Sequence, residues 1–110
     1  MIKNKLTKRK RRSDRKHIVY VITNIKTDEQ YVGIAVCVDR SGKETLAARF
    51  SRHVGRAKNQ GKQWNLCKSI RKHGPDAFVP EILQFVRGKA DAHAAETALR
   101  KSGQFTLNSV

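Results

Sequence analysis

Tyr20 and Tyr31 stand eleven positions apart in VYVITNIKTDEQYVG, residues 19–33, where two short apolar runs flank a polar turn. Such a pair is either two strand aromatics, each needing one hydrogen-bond partner, or two phenols able to orient a water or a phosphate. Gly33, two residues beyond Tyr31, marks a strand bulge or a place where another backbone comes close. Arg49 and His53 are four apart. On a helix this spacing places a permanent cation and a titratable imidazole on one face, which suits either phosphate binding with proton transfer or a solvated charged stripe that also includes Arg56. Glu96 lies among small apolar residues in DAHAAETAL. It is either an outward position or an oxygen ligand for a hard cation such as Mg²⁺, which often takes one carboxylate and completes its shell with water and phosphate. His93, three residues earlier, adds a lesser His-x-x-Glu zinc reading with few other ligands to finish it. No GxxxxGK[ST] loop, HExxH or GxSxG occurs.

The elements that must position these residues can be read from periodicity. Residues 18–25, IVYVITNI, and 30–38, QYVGIAVCV, predict two antiparallel strands joined through KTDE, in a sheet covered on one face or both. Ser41 and Glu44 have capping-box spacing ahead of a helix running to about Ala57, with Leu46, Phe50, Val54 and Ala57 as its inner stripe. WNLCKSIRKH predicts a short helix with Leu66 and Ile70 inward, a left-handed cap at Gly74 and a stop at Pro75. Residues 78–86, FVPEILQFV, predict a third strand that Pro80 confines to a late start or a sheet edge. Asp91 is the expected cap of a last helix whose inner side is Ala94, Ala95, Ala98 and Leu99 and which ends near Gly103; the tail QFTLNSV has no pattern of its own. The order β-β-α-α-β-α implies an α/β (α+β) domain, a small sheet with helices packed on it.

At 110 residues the chain has room for one core, and its net charge of +15 points to a polyanionic partner, nucleic acid first. Nine of the first sixteen residues are basic and Asp14 is the only acid among them. Residues 1–16 are therefore read as a disordered arm in which Lys8, Arg9, Lys10, Arg11 and Arg12 grip phosphate without sequence preference; a solubilising tail and a localisation signal are the other readings. Residues 17–110 carry 15 basic residues against 8 acidic ones, a net charge of +7. No apolar stretch reaches membrane-spanning length and the basic start is not followed by a signal-peptide core, so an intracellular, cytoplasmic location and no membrane partner are expected. Cys37 and Cys67 lack CxxC spacing and read as reduced, buried thiols.

Taken in order, these residues resemble the GIY-YIG nuclease family, and most closely its small phage-type members. Ile18-Val19-Tyr20 looks like the first motif and Tyr31-Val32-Gly33 matches the second. Arg49-Phe50-Ser51-Arg52-His53 is similar to the Arg-aromatic-x-x-His helix segment, and Lys72-His73-Gly74 with Phe78 and Ile82-Leu83 resembles a downstream stretch. Glu96 occupies the place of the family's metal-binding glutamate, and Asn108 that of its late asparagine. The resemblance covers residues 17–110 and implies a central three-stranded antiparallel sheet flanked by helices. It further implies a DNA endonuclease that hydrolyses a phosphodiester with one Mg²⁺ (or Mn²⁺), with no small-molecule substrate, in a homing-type or host-DNA-degrading role. Glu96 would hold the metal and Arg49 a phosphate oxygen. Tyr20 is the candidate base or water-orienting group, an ionisation that nearby cations would have to favour. His53 would accept or relay the proton and Tyr31 would orient, while Gly33 and Asn108 support and Arg52 and Arg56 contact DNA. Two departures stand out: Ile18 replaces the first motif's glycine, and residues 34–48 form a longer connection than in many members. A non-catalytic basic nucleic-acid-binding protein is the alternative, and a protein-interaction module with an acidic partner a third reading.

Overall fold

The computed structural model describes residues 15–60 and 64–108, so the cationic run Lys8 to Arg12 lies outside the described residues. The expected hairpin forms between β1, Lys16–Asn24, and β2, Gln30–Val36. Lys16, grouped by sequence with the arm, is the first residue of β1 and sits opposite Arg87. Helix α1, Lys43–Gly55, runs into a π turn at Arg56–Gln60. Helix α2, Asn65–His73, a 3₁₀ turn at Pro75–Ala77, strand β3, Phe78–Arg87, and helix α3, Lys89–Lys101, complete the order. The three strands form an antiparallel sheet in the order β2-β1-β3, which puts Pro80 on an edge strand, where a missing N–H is tolerated.

Strand β1 is central and apolar on both faces, and both faces are covered. Ile18, Tyr20 and Ile22 pack on one side with Leu46 of α1, Ala57, and Leu66 and Ile70 of α2. Val19 and Val21 pack on the other with Val32, Ala95, Leu99 and Phe105. Helix α1, which carries Arg49 and His53, and helix α2, whose N-cap is Trp64, therefore cover one face, and the helix that carries Glu96 covers the other. Among the described residues no helix is long and apolar enough to cross a membrane.

Three local expectations are corrected. The Ser41–Glu44 capping box does not form. Asp39 instead caps α1, its carboxylate accepting from the backbone N–H groups of Glu44 (3.1 Å) and Thr45 (3.0 Å) and from the hydroxyls of Ser41 and Thr45. Gly42 makes this possible with φ 79, and a Cβ there would lie 2.8 Å from Ile82. The hydrogen bond from Thr45 leads the causes that lower the Asp39 pKa to about 2. Replacing Asp39 by Ala is expected to lower the melting temperature at pH 7. It should also remove the stability that the parent protein loses as pH falls from the ordinary carboxylate range toward 2, which thermal melts across pH 2–7 will test.

The last helix starts before Asp91, with Gly88 at its N-cap, and turns a different stripe inward. Ala92 is fully buried and Ala95 and Leu99 pack on the core, whereas Ala94 and Ala98 are exposed. Alanines on every side of the helix made its phase ambiguous. The patternless tail is also structural: Phe105 and Leu107 are buried, and the Leu107 N–H donates to the Gln30 carbonyl at 2.9 Å. Both cysteines are free, Cys67 buried and Cys37 half-buried.

Candidate active site

Strand register builds the first half of the site. Tyr20 on β1 lies opposite Gly33 on β2, and its phenol passes so close that a Cβ at Gly33 would sit 2.6 Å from the hydroxyl. Gly33 is thus required by a close approach. Gly33→Ala is expected to push the phenol aside, costing about 1–3 kcal/mol of stability as overpacking and roughly 100-fold in any activity that depends on that hydroxyl's position. Urea unfolding set beside a turnover assay will separate the two effects.

The second half comes from α1, which turns His53 inward. The solvated-stripe reading fails for this residue, which is 4% exposed, with Nε2 3.0 Å from Tyr20 Oη. The other ring nitrogen, Nδ1, is buried without a partner. Burial, reinforced by the charges of Arg56, Arg49 and Arg52, lowers the His53 pKa to about 4, so the imidazole is neutral at physiological pH. The Tyr20 and Tyr31 rings lie 6.2 Å apart between centroids, and the Tyr31 ring meets His53 edge-on at 5.1 Å. Burial raises the pKa of both phenols, and for Tyr20 it outweighs the opposing influence of Arg49. The cations therefore do not make Tyr20 a phenolate.

Tyr31 and His53 open onto a cleft of about 250 Å³, whose wall also includes Arg56, Trp64, Glu96 and Asn108. Glu96 reaches it from α3 with its side chain 17% exposed, Oε1 lying 3.9 Å from His93 Nδ1. It is the only carboxylate among the described lining residues, and nowhere among the described residues do three or more His, Cys, Asp or Glu side chains converge. One carboxylate beside open cleft volume fits Mg²⁺ or Mn²⁺, which keep water ligands, and does not fit zinc, which needs three or four protein donors. Asn108 pairs with the backbone of Val32 in both directions: Oδ1 accepts its N–H and Nδ2 donates to its carbonyl, each at 2.8 Å. With Leu107 on Gln30, it closes part of the free edge of β2 beside the tyrosines.

Not every expected residue joins this cleft. Arg49 lines a neighbouring one with His17, Lys89 and His93, although its charge acts on both tyrosines and on His53. Arg52 is exposed and lines neither. Sequence reading passed over Trp64 and Arg100, both at the first cleft. Arg100 had a usable signal, since it follows Glu96 by four residues in a helix, and Trp64 had another as the single tryptophan of the chain.

Comparison with protein-family profiles and with curated proteins gives no match. Solved structures do match. The catalytic domain of the homing endonuclease I-TevI superposes with a TM-score of 0.64 at 23% identity, covering 84% of this chain and 94% of that domain. A form of the same catalytic domain with one glutamate changed to alanine, described as that of an intron endonuclease, gives 0.58 at 24% identity, covering 82% and 90%. The shared three-stranded antiparallel sheet with its helices is the architecture the motifs implied: this chain has the fold of the catalytic domain of I-TevI, a GIY-YIG homing endonuclease.

Proposed function

We propose that the protein is a DNA endonuclease of the GIY-YIG type that hydrolyses phosphodiester bonds with the help of one Mg²⁺ or Mn²⁺. The observation that carries this reading is the convergence of Tyr31, His53, Glu96 and Asn108, from four separate segments, on one cleft of a chain whose net charge is +15. The likeness in fold to a homing endonuclease catalytic domain supports it; the setting proposed for it is that of a phage-type nuclease acting on DNA in a host cytoplasm.

Glu96 would hold the metal, which would supply charge neutralisation at the scissile phosphate and the leaving oxygen. The protein's own contribution is a proton path from the cleft to His53. A water that attacks phosphorus gives up its proton through the tyrosine pair to His53 Nε2, Tyr20 Oη, 3.0 Å from that nitrogen, passing on its own proton as it takes one from the cleft side. Neither phenol has to exist as a phenolate, which accords with the raised pKa values of both. The acceptor is the one group of the three that burial keeps unprotonated. Arg56, at the cleft wall, is placed to meet a phosphate oxygen with a planar charged fork, and Arg49 does the same from the adjoining cleft. Incubating the purified protein with supercoiled plasmid and Mg²⁺, with and without EDTA, tests the reading: nicked or linear product should form only when the metal is free.

The place of Arg49 in the adjoining cleft favours one alternative, a protein that binds nucleic acid along both clefts without cutting it. That reading predicts salt-sensitive binding and no product with any divalent metal.

A further inference from the structure

Trp64 has no part in the proton path or in holding a metal, yet it stands at the same cleft. It is 45% exposed and occupies the N-cap of α2 with an extended backbone. The Arg56 guanidinium lies over its ring, 5.6 Å from the centroid. Leu66, Cys67 and Leu107 give the same cleft apolar lining. A site that met only phosphate would need cations and water. An indole held half out of solvent in a cleft with apolar lining, with a guanidinium over its ring, suits a flat heteroaromatic ring joined to phosphates.

We infer that Trp64, braced by Arg56, is a stacking platform for a nucleobase next to the scissile phosphate, with Arg56 and Arg100 neutralising the adjoining phosphates. The inference rests on the nuclease reading and narrows its substrate. A base lying on Trp64 has left its own stack, so DNA that is single-stranded, frayed or mismatched at the cut is preferred over a perfectly paired duplex, in which unstacking must be supplied from binding energy.

Because Trp64 is the only tryptophan, its emission reports on the platform directly. The full chain is titrated in EDTA with a short oligo-dT, with an abasic deoxyribose-phosphate strand of the same length, and with polyphosphate, binding being followed separately by anisotropy. Stacking should quench the emission by roughly half or more with oligo-dT, while the other two polymers bind and leave it nearly unchanged. Equal quenching by the abasic strand, or binding of oligo-dT without quenching, overturns the platform and leaves the nuclease reading intact. Failure of all three polymers to bind overturns both.

In cleavage of single-stranded DNA, Trp64→Leu should raise KM about tenfold with little change in kcat, and Trp64→Phe should recover most of the loss. A loss confined to kcat would also count against the platform. Should Trp64→Leu fold poorly, the titration of the parent chain still decides.

Discussion

Replacing Glu96 by Ala is expected to abolish the proposed metal-dependent nicking, with a loss of at least ~10³-fold, the scale expected when a transition-state charge stabiliser worth several kcal/mol is removed. The size of the effect follows from the cleft's composition. With one carboxylate on the described wall, no second side chain is placed to take over the cation. The same substitution should leave the fold intact, because Glu96 lies on α3 outside both apolar clusters and its ion-pair contact among the described residues is a long one to an exposed His93. The expected pattern is therefore lost cutting, an unchanged melting temperature, and retained binding and tryptophan quenching by oligo-dT. Glu96→Gln should behave like Glu96→Ala, since a neutral amide is a poor ligand for a hard cation. If the parent protein cuts and Glu96→Ala cuts equally well, the metal is held elsewhere or is not needed.

Replacing His53 by Gln should lower kcat by about 10²–10⁴-fold, the range for loss of a positioned proton acceptor. It should also change how stability depends on pH. His53 is 4% exposed and titrates near 4 in the fold against 6.5 for the free side chain. Between these values the unfolded chain binds a proton that the folded chain refuses, so stability falls as pH drops from about 6.5 to about 4 and levels off below. The size of that loss is on the order of 3 kcal/mol. Denaturant melts at pH 7 and pH 4.5 should show the slope in the parent protein and its absence in His53→Gln. Because His53 stays neutral through this interval, kcat/KM should not fall with the ordinary histidine ionisation near 6.5 but hold to about pH 5. A fall centred on 6.5 that His53→Gln removes would show that the imidazole is not buried as described.

The Tyr20–Gly33 relation illustrates what was readable from the chain and what was not. Two β-rich runs with a turn between them fix a hairpin, and its register is fixed once apolar residues must face a core, so the opposition of tyrosine and glycine follows from local pattern. The inward Leu66 and Ile70 of α2 follow in the same way, while Pro80 left a late start or a sheet edge open for β3 and the sheet order settles it as an edge. Motif order then supplied the site residues, because side-chain identity at set intervals does not depend on knowing the packing.

Other features depend on groups distant in sequence. His53 could be read as a solvated base or a buried one, and only the sheet beneath α1 decides, by removing water and supplying the Tyr20 hydroxyl. The phase of α3 was open because its alanines carry too little apolar area to choose a face. Asp39 displaced the Ser41–Glu44 cap because Gly42 bends the chain under Ile82, a contact no local window contains. Asn108 pairs with Val32 across 76 positions.

The amino-acid sequence by itself determined the strands, the helices, the strong positive charge and the set of residues able to do chemistry. Those properties are written in short-range periodicity and composition. Tertiary structure decided which of those residues share a cleft, that Arg49 opens onto its neighbour, that Trp64 lines the first, and that the phenols stay protonated beside a neutral imidazole. Burial and mutual distance set those outcomes, and both exist only after segments far apart in the chain have closed on one another.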